Sequence, residues 1–166
     1  MSRGFVKEED QEEIPMVSPR ADLPFGVVNY VTINGFEELK QEQNLLLGEQ
    51  KTLIEQSNEI NRVQINYITT KLSLLEDRIS SARIVDLSTQ PQNEIHFGAA
   101  ITLFKQEENC ECQYQIVGVD EANVSQNKIS FLSPMAKVLR NKKVGDIIAF
   151  QTPKGKRNMK IEVIEY

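Results

Sequence analysis

Along residues 65–82, apolar side chains recur at steps of three and four: Ile65, Ile68, Leu72, Leu75, Ile79 and Ala82. This is the spacing of a coiled-coil seam, an apolar stripe that faces a partner helix. An earlier stretch repeats the rhythm with Phe36, Leu39, Gln43, Leu46, Gln50 and Leu53, weakened by its two glutamines. If the two helices fold back on each other, facing positions keep a constant sum, because a step up one is a step down the other. Phe36 with Ala82, Leu39 with Ile79, Gln43 with Leu75, Leu46 with Leu72, Gln50 with Ile68 and Leu53 with Ile65 all sum to 118, which centres the reversal on residue 59. The spacing therefore predicts an antiparallel helical hairpin from about Gly35 to Ala82, opened by Thr32 or Asn34 as a cap and turning between Glu55 and Arg62. Gly48 is the competing turn, since glycine costs about 1 kcal/mol inside a helix relative to alanine. A reversal there would leave part of a long second helix with its apolar residues uncovered. Each arm then holds roughly 20 residues, or ~30 Å of helix.

After Asp86 the period changes, and Ser88–Asn93, with Pro91, reads as a linker. Residues 95–104, 113–117, 129–132, 147–150 and 159–164 are rich in β-branched and aromatic side chains and read as strands. In the last of them Met159, Ile161 and Val163 alternate with Lys160 and Glu162, the mark of a half-buried strand. Ser133 followed by Pro134 is an N-cap before a first-turn proline, so Met135–Arg140 is expected to form one short helix. The fold class is α+β: an antiparallel helical hairpin over residues 32–86, then a small β-rich domain with one short helix over 87–166. Residues 1–31 hold an acidic cluster and three prolines, and are expected to be an extended or disordered arm.

The net charge of −5 argues against a protein that wraps duplex DNA, which needs clustered Lys and Arg. By segment, residues 1–31 carry three basic and six acidic side chains, 32–84 six and eight, and 85–166 ten and ten, so the acidity lies in the arm and hairpin. Lys137, Arg140, Lys142, Lys143, Lys154, Lys156 and Arg157 could face nucleic acid or an acidic surface, but in a domain of zero net balance they read as solvated charge. Cys110 and Cys112 are too close for an ordinary disulfide and too few for a structural zinc site, so they read as loop or strand-edge thiols. His96, the single histidine, reads as a strand residue. No apolar stretch is long enough to span a bilayer and the N-terminus lacks a signal-peptide core, so a cytoplasmic protein without membrane contact is expected.

In order along the chain stand Phe97-Gly-Ala99, Ile116-Val-Gly-Val-Asp-Glu-Ala122, Lys128-Ile-Ser130, Ser133-Pro-Met-Ala136, Lys143-Val-Gly-Asp146 and Thr152-Pro153. Upstream lie Tyr30-Val-Thr32 with Gly35, Leu75-Glu76 and Ala82-Arg-Ile-Val-Asp86. As an ordered set these resemble the Gre-type transcription elongation factors (GreA/GreB) over about residues 30–166, and Ser2-Arg-Gly-Phe-Val-Lys-Glu8 looks like a start seen in the GreB-like branch. The resemblance implies a β domain of FKBP-like fold docked at the rim of the RNA polymerase secondary channel, with the hairpin inserted. It would place docking on Asp120 and Glu121 and on Ser133, Pro134, Met135 and Ala136. Independently, a loop feeding a helix N-terminus offers free backbone N–H groups and the positive end of a dipole.

The tip departs from the family. Gre cleavage factors carry an acidic pair in a string like Asp-Leu-Ser-Glu-Asn-Ala-Glu-Tyr that helps hold a second Mg²⁺ in the polymerase site. That string is absent here, and between Gly35 and Glu76 the hairpin is shorter by about four turns in total, roughly 11 Å of reach. Magnesium needs oxygen ligands at about 2.1 Å, so a carboxylate that stops short contributes only screened electrostatics. Glu55 and Glu59, in the tip string Glu55, Gln56, Ser57, Asn58, Glu59, are the residues that could imitate the missing pair. The leading expectation is a regulator of elongation that binds bacterial RNA polymerase, is not itself an enzyme and has no cofactor of its own. Mg²⁺ would enter only jointly with the polymerase, and nucleic acid only within the transcription complex. The alternative is stimulation of transcript cleavage by Glu55 and Glu59. A coiled-coil adaptor would self-associate, whereas a seam consumed within one chain implies a monomer. A prolyl isomerase needs an aromatic-lined pocket, and the chain has no tryptophan and few aromatics near the relevant strands.

Overall fold

The computed structural model of the protein describes residues 16–56 and 59–166. Helices α1 (Ile33–Glu55) and α2 (Glu59–Ser81) form the hairpin, each with 23 residues. At about 1.5 Å per residue that is ~34 Å of helix. The reversal falls between Glu55 and Glu59, and α1 runs straight through Gly48. The seam is the mirrored one: Leu39, Leu46, Ile68, Leu72 and Leu75 are buried together, with Leu53 and Ile79 packed against them. The polar seam position Gln50 is satisfied across the pair, its amide donating to Thr69 Oγ1 at 2.8 Å.

Both ends of the hairpin differ from the periodic reading. α1 starts at Ile33, because Thr32 is extended and its hydroxyl accepts from the Gly35 amide at 2.9 Å, which makes it the N-cap. α2 stops at Ser81, and Ala82, expected as the last seam residue, opens strand β2 (Ala82–Ile84). That strand pairs in parallel with β1 (Asn29–Val31), Tyr30 opposite Arg83, so the whole hairpin is the crossover that parallel strands require. Asn29, placed by sequence in the extended arm, is buried, and its amide donates to Arg78 O at 3.0 Å and Ser81 Oγ at 3.1 Å. It thereby closes the last turn of α2, where carbonyls lack helical partners.

The second part is a five-stranded sheet of β3 (Ala100–Lys105), β4 (Cys110–Val117), β5 (Lys128–Ser130), β6 (Ile147–Thr152) and β7 (Gly155–Glu165), in the order β5-β4-β3-β7-β6. Only β4 and β5 run parallel. Helix α3 (Pro134–Leu139) covers one face, capped by Ser133, whose hydroxyl accepts from Ala136 N at 3.2 Å. Ile95, Ile101, Leu103, Ile116, Leu139, Ile148, Met159 and Ile161 form the core between helix and sheet. The alternation read in β7 holds for Met159 and Ile161 and then fails: Val163 is exposed and Ile164 packs inward. The cause is a bulge, since Thr102 faces Val163 while Leu103 faces Ile161, leaving Glu162 as the extra residue that flips the faces.

Residues 95–99, expected as the start of a strand, form a connection before β3, so His96 is a loop residue. The connection is held by Tyr166, whose hydroxyl donates to Glu94 O at 2.5 Å and accepts from His96 N at 2.8 Å. Replacing Tyr166 by Phe strands both backbone groups and is expected to cost about 1–2 kcal/mol in urea unfolding at neutral pH. Burial pushes the Tyr166 phenol up. A raised folded pKa gives stability that is present below the ordinary tyrosine range and lost as pH rises through it, so the gap between wild type and Tyr166→Phe should narrow in alkali.

Candidate functional site

Three regions carry the residues singled out by sequence: the hairpin tip, the loop after β4 and the start of α3. At the tip, the Glu55 side chain is 66% exposed and lies 4.0 Å from the Lys51 ammonium. Ser57, Asn58 and the side chain of Glu59 lie outside the described residues. Among the described residues no group of three or more His, Cys, Asp or Glu side chains is arranged to hold a metal ion.

The loop Gly118–Ala122 is where hairpin and β domain meet. Gly118 lets β1 approach: a Cβ there would lie 2.7 Å from the Tyr30 carbonyl oxygen. Glu121 is buried, accepts from Thr32 Oγ1 at 2.6 Å and is paired with Lys128 at 3.2 Å, which also faces Glu38 at 3.7 Å. Thr32 thus caps α1 and ties it to the sheet at once. Gly35 is small for the same reason, since a Cβ would meet Glu121 Oε2 at 2.4 Å. Asp120 is paired with Arg20 at 2.9 Å and Arg78 at 3.4 Å. The two carboxylates that the resemblance assigned to a partner are therefore engaged within the chain, binding the hairpin root to the β domain. Arg20 and Arg78 were not singled out from sequence, and Thr32 and Lys128 stood there only as a cap and as part of a motif, without these partners. Their partners are 22 to 100 residues away along the chain, or are reached only through the loop.

The start of α3 is more open. Pro134 is exposed and Ser133 and Met135 half-buried, while Ala136 is buried and lines a cavity of about 310 Å³. Tyr30 and Val85 of the hairpin root line it together with Phe97, Ile116, Phe131 and Arg140. Tyr30, Phe97 and Phe131 pack around one another with centroids 5.7–5.9 Å apart, the tilted and edge-on contacts that aromatic quadrupoles favour. The sequence showed few aromatics near the strands, but the fold gathers three from separate segments. By contrast, Cys110 and Cys112 are free thiols in β4, and burial pushes the Cys112 thiol up, the reverse of what a reactive thiolate needs. No helix among the described residues is long and apolar enough to cross a membrane.

The architecture is thus a two-helix hairpin rooted by buried carboxylates on a small β domain, with an aromatic-lined cavity beside the root. Residues 90–166 match the family model "Transcription elongation factor, GreA/GreB, C-term". The chain is 32% identical over 151 residues to transcription elongation factor GreA of Rickettsia felis, a match covering 82% of this chain and 93% of that one. It is 33% identical over 152 residues to GreA of Pasteurella multocida, covering 82% and 96%. Among solved structures, GreA factor homolog 1 of Thermus thermophilus is similar at 25% identity with a TM-score of 0.40, over 82% of this chain and 98% of that one. The chain belongs to the GreA/GreB family of transcription elongation factors.

Proposed function

We propose that this protein binds RNA polymerase and regulates elongation, with the hairpin entering the secondary channel and the start of α3 docking at its rim. Ser133, Pro134 and Met135 are the contact residues in this reading, beside the aromatic cavity. Asp120 and Glu121 act behind them by holding the hairpin root. The observation that supports it most is the separation of roles: the apolar seam is consumed inside the hairpin, while Pro134 stands exposed at the N-terminus of α3, next to the cavity. Among the described residues of the tip, Glu55 is exposed and lies 4.0 Å from Lys51, an arrangement that does not favour transcript cleavage.

Pro134→Glu is a suitable probe, because an acidic residue is tolerated in the first turn of a helix and leaves the Ser133 cap in place. In a pull-down with core polymerase, the variant should lose about tenfold in affinity if the face is a hot spot. Undiminished retention of a folded Pro134→Glu protein would remove the docking face from the proposal.

A further inference from the structure

We infer that Arg20 is a positioning residue that sets the angle of the hairpin on the β domain, so that the segment Val17–Ala21 works as a brace. At the base of the hairpin Thr32 meets Glu121, Glu38 faces Lys128, and Tyr30 packs on Phe97 and Phe131. These contacts are clustered near the pivot, where they resist tilting with little leverage. Arg20 adds one higher up α1: its Nη1 and Nη2 donate to the two carboxylate oxygens of Glu42 at 2.9 and 3.0 Å, and its Nε donates to Asp120 Oδ1 at 2.9 Å. Glu42 is ten residues beyond Thr32, about 15 Å up α1. A planar guanidinium gripped on two edges fixes direction as well as distance, which a lysine ammonium would not.

The other face of the brace is tied to α2. Arg78 reaches Asp120 Oδ2 at 3.4 Å, and its Nη2 donates to the carbonyl of Ala21. A closed circuit results, α1 to Arg20 to Asp120 to Arg78 to α2, with the arm inside it. Pro19 immediately before Arg20 restricts the backbone that presents it. The side chains of Arg20, Asp120 and Arg78 are only 18%, 8% and 13% exposed, so the circuit is screened less than a surface pair. Burial opposes the charge on Arg20, but the hydrogen bonds to Glu42 and Asp120 outweigh it and hold the guanidinium above its ordinary pKa.

The leverage is large. On a hairpin ~34 Å long, a slack of about 10° at the root would displace the tip by roughly 6 Å. The value of that aim rests on the polymerase reading, but the angle is a property of the free protein and is tested there. In a background with Cys110→Ser and Cys112→Ser, spin labels at Lys51→Cys on α1 and Lys160→Cys on β7 report the hairpin-to-domain distance by double electron–electron resonance. The parent should give one narrow distance. Arg20→Ala should broaden it about twofold with helical circular dichroism unchanged, and Arg20→Lys should fall between. If Arg20→Ala loses helical signal, Glu42→Gln, which cuts the brace on α1 alone, is read in its place. Equal widths in parent and variant, or a broad distribution in the parent, would overturn the inference. A narrow-to-broad change beside intact polymerase binding would sustain the brace and count against the inserted-hairpin reading.

Discussion

Leu75→Ala lowers the stability of the hairpin by about 3–5 kcal/mol, the upper part of the range for large-to-small core substitutions. Leu75 is fully buried at 0% exposure and sits among Leu39, Leu46, Ile68 and Leu72. The neighbours are held on two stiff helices, which limits how far they can move in to fill the void, so most of the lost contacts stay lost. Opposite Leu75 in the mirrored pairing stands Gln43, whose polar head is poorly suited to fill an apolar gap. Denaturant unfolding followed at 222 nm reads the effect, with Leu45→Ala, on an exposed position of α1, as the control expected to stay within about 0.5 kcal/mol of wild type. A loss below about 1 kcal/mol at Leu75 would mean that the seam is not what holds the arms together.

Glu121→Ala is the second large effect, expected at about 2–3 kcal/mol. Removing one member of a buried pair usually costs about 3–5 kcal/mol because the other charge is left uncompensated. Here the cost is reduced, since Lys128 keeps Glu38 at 3.7 Å and is itself partly exposed. The Thr32 hydroxyl, however, loses its acceptor beneath a buried helix cap. Glu121→Gln keeps an acceptor for Thr32 and removes only the charge facing Lys128, so it should cost about half as much. Hydrogen exchange locates the damage: amides at the start of α1 should lose protection while those of β3 and β7 do not. Uniform loss across the sheet would show that Glu121 supports the β domain and not the joint.

Much of this architecture was legible because it is periodic. The seam repeats strongly enough that its mirror sum located the reversal within residues 55–62, and the Ser133-Pro134 pair marked the start of α3. What was not legible depends on contacts between distant segments. The three-residue strands β1 and β2 carry no alternation long enough to read, and each is stabilised by the other across the whole hairpin. Arg20 looks like one charge in a proline-rich arm until Glu42 and Asp120 converge on it. The β7 pattern misled at Val163 because a single inserted residue reverses every face beyond it. Asp120 and Glu121 were expected to dock a partner, and the fold engages both within the chain. Their neighbourhood gives them an architectural task that residue type alone could not distinguish from a docking one.

The parallel pairing of β1 with β2 has a consequence for how such a protein can change. Because Tyr30 lies opposite Arg83, the chain leaves the root and returns to it at adjacent points, about 4.8 Å apart. Everything beyond those points is a loop-out whose size the root does not register. Whole heptads added symmetrically to both arms would keep the seam in phase and extend the reach by about 10 Å each time, with the β domain untouched. Reach is then an adjustable dimension, separable from the platform that carries it, and the ~34 Å of this hairpin is one setting of that dimension.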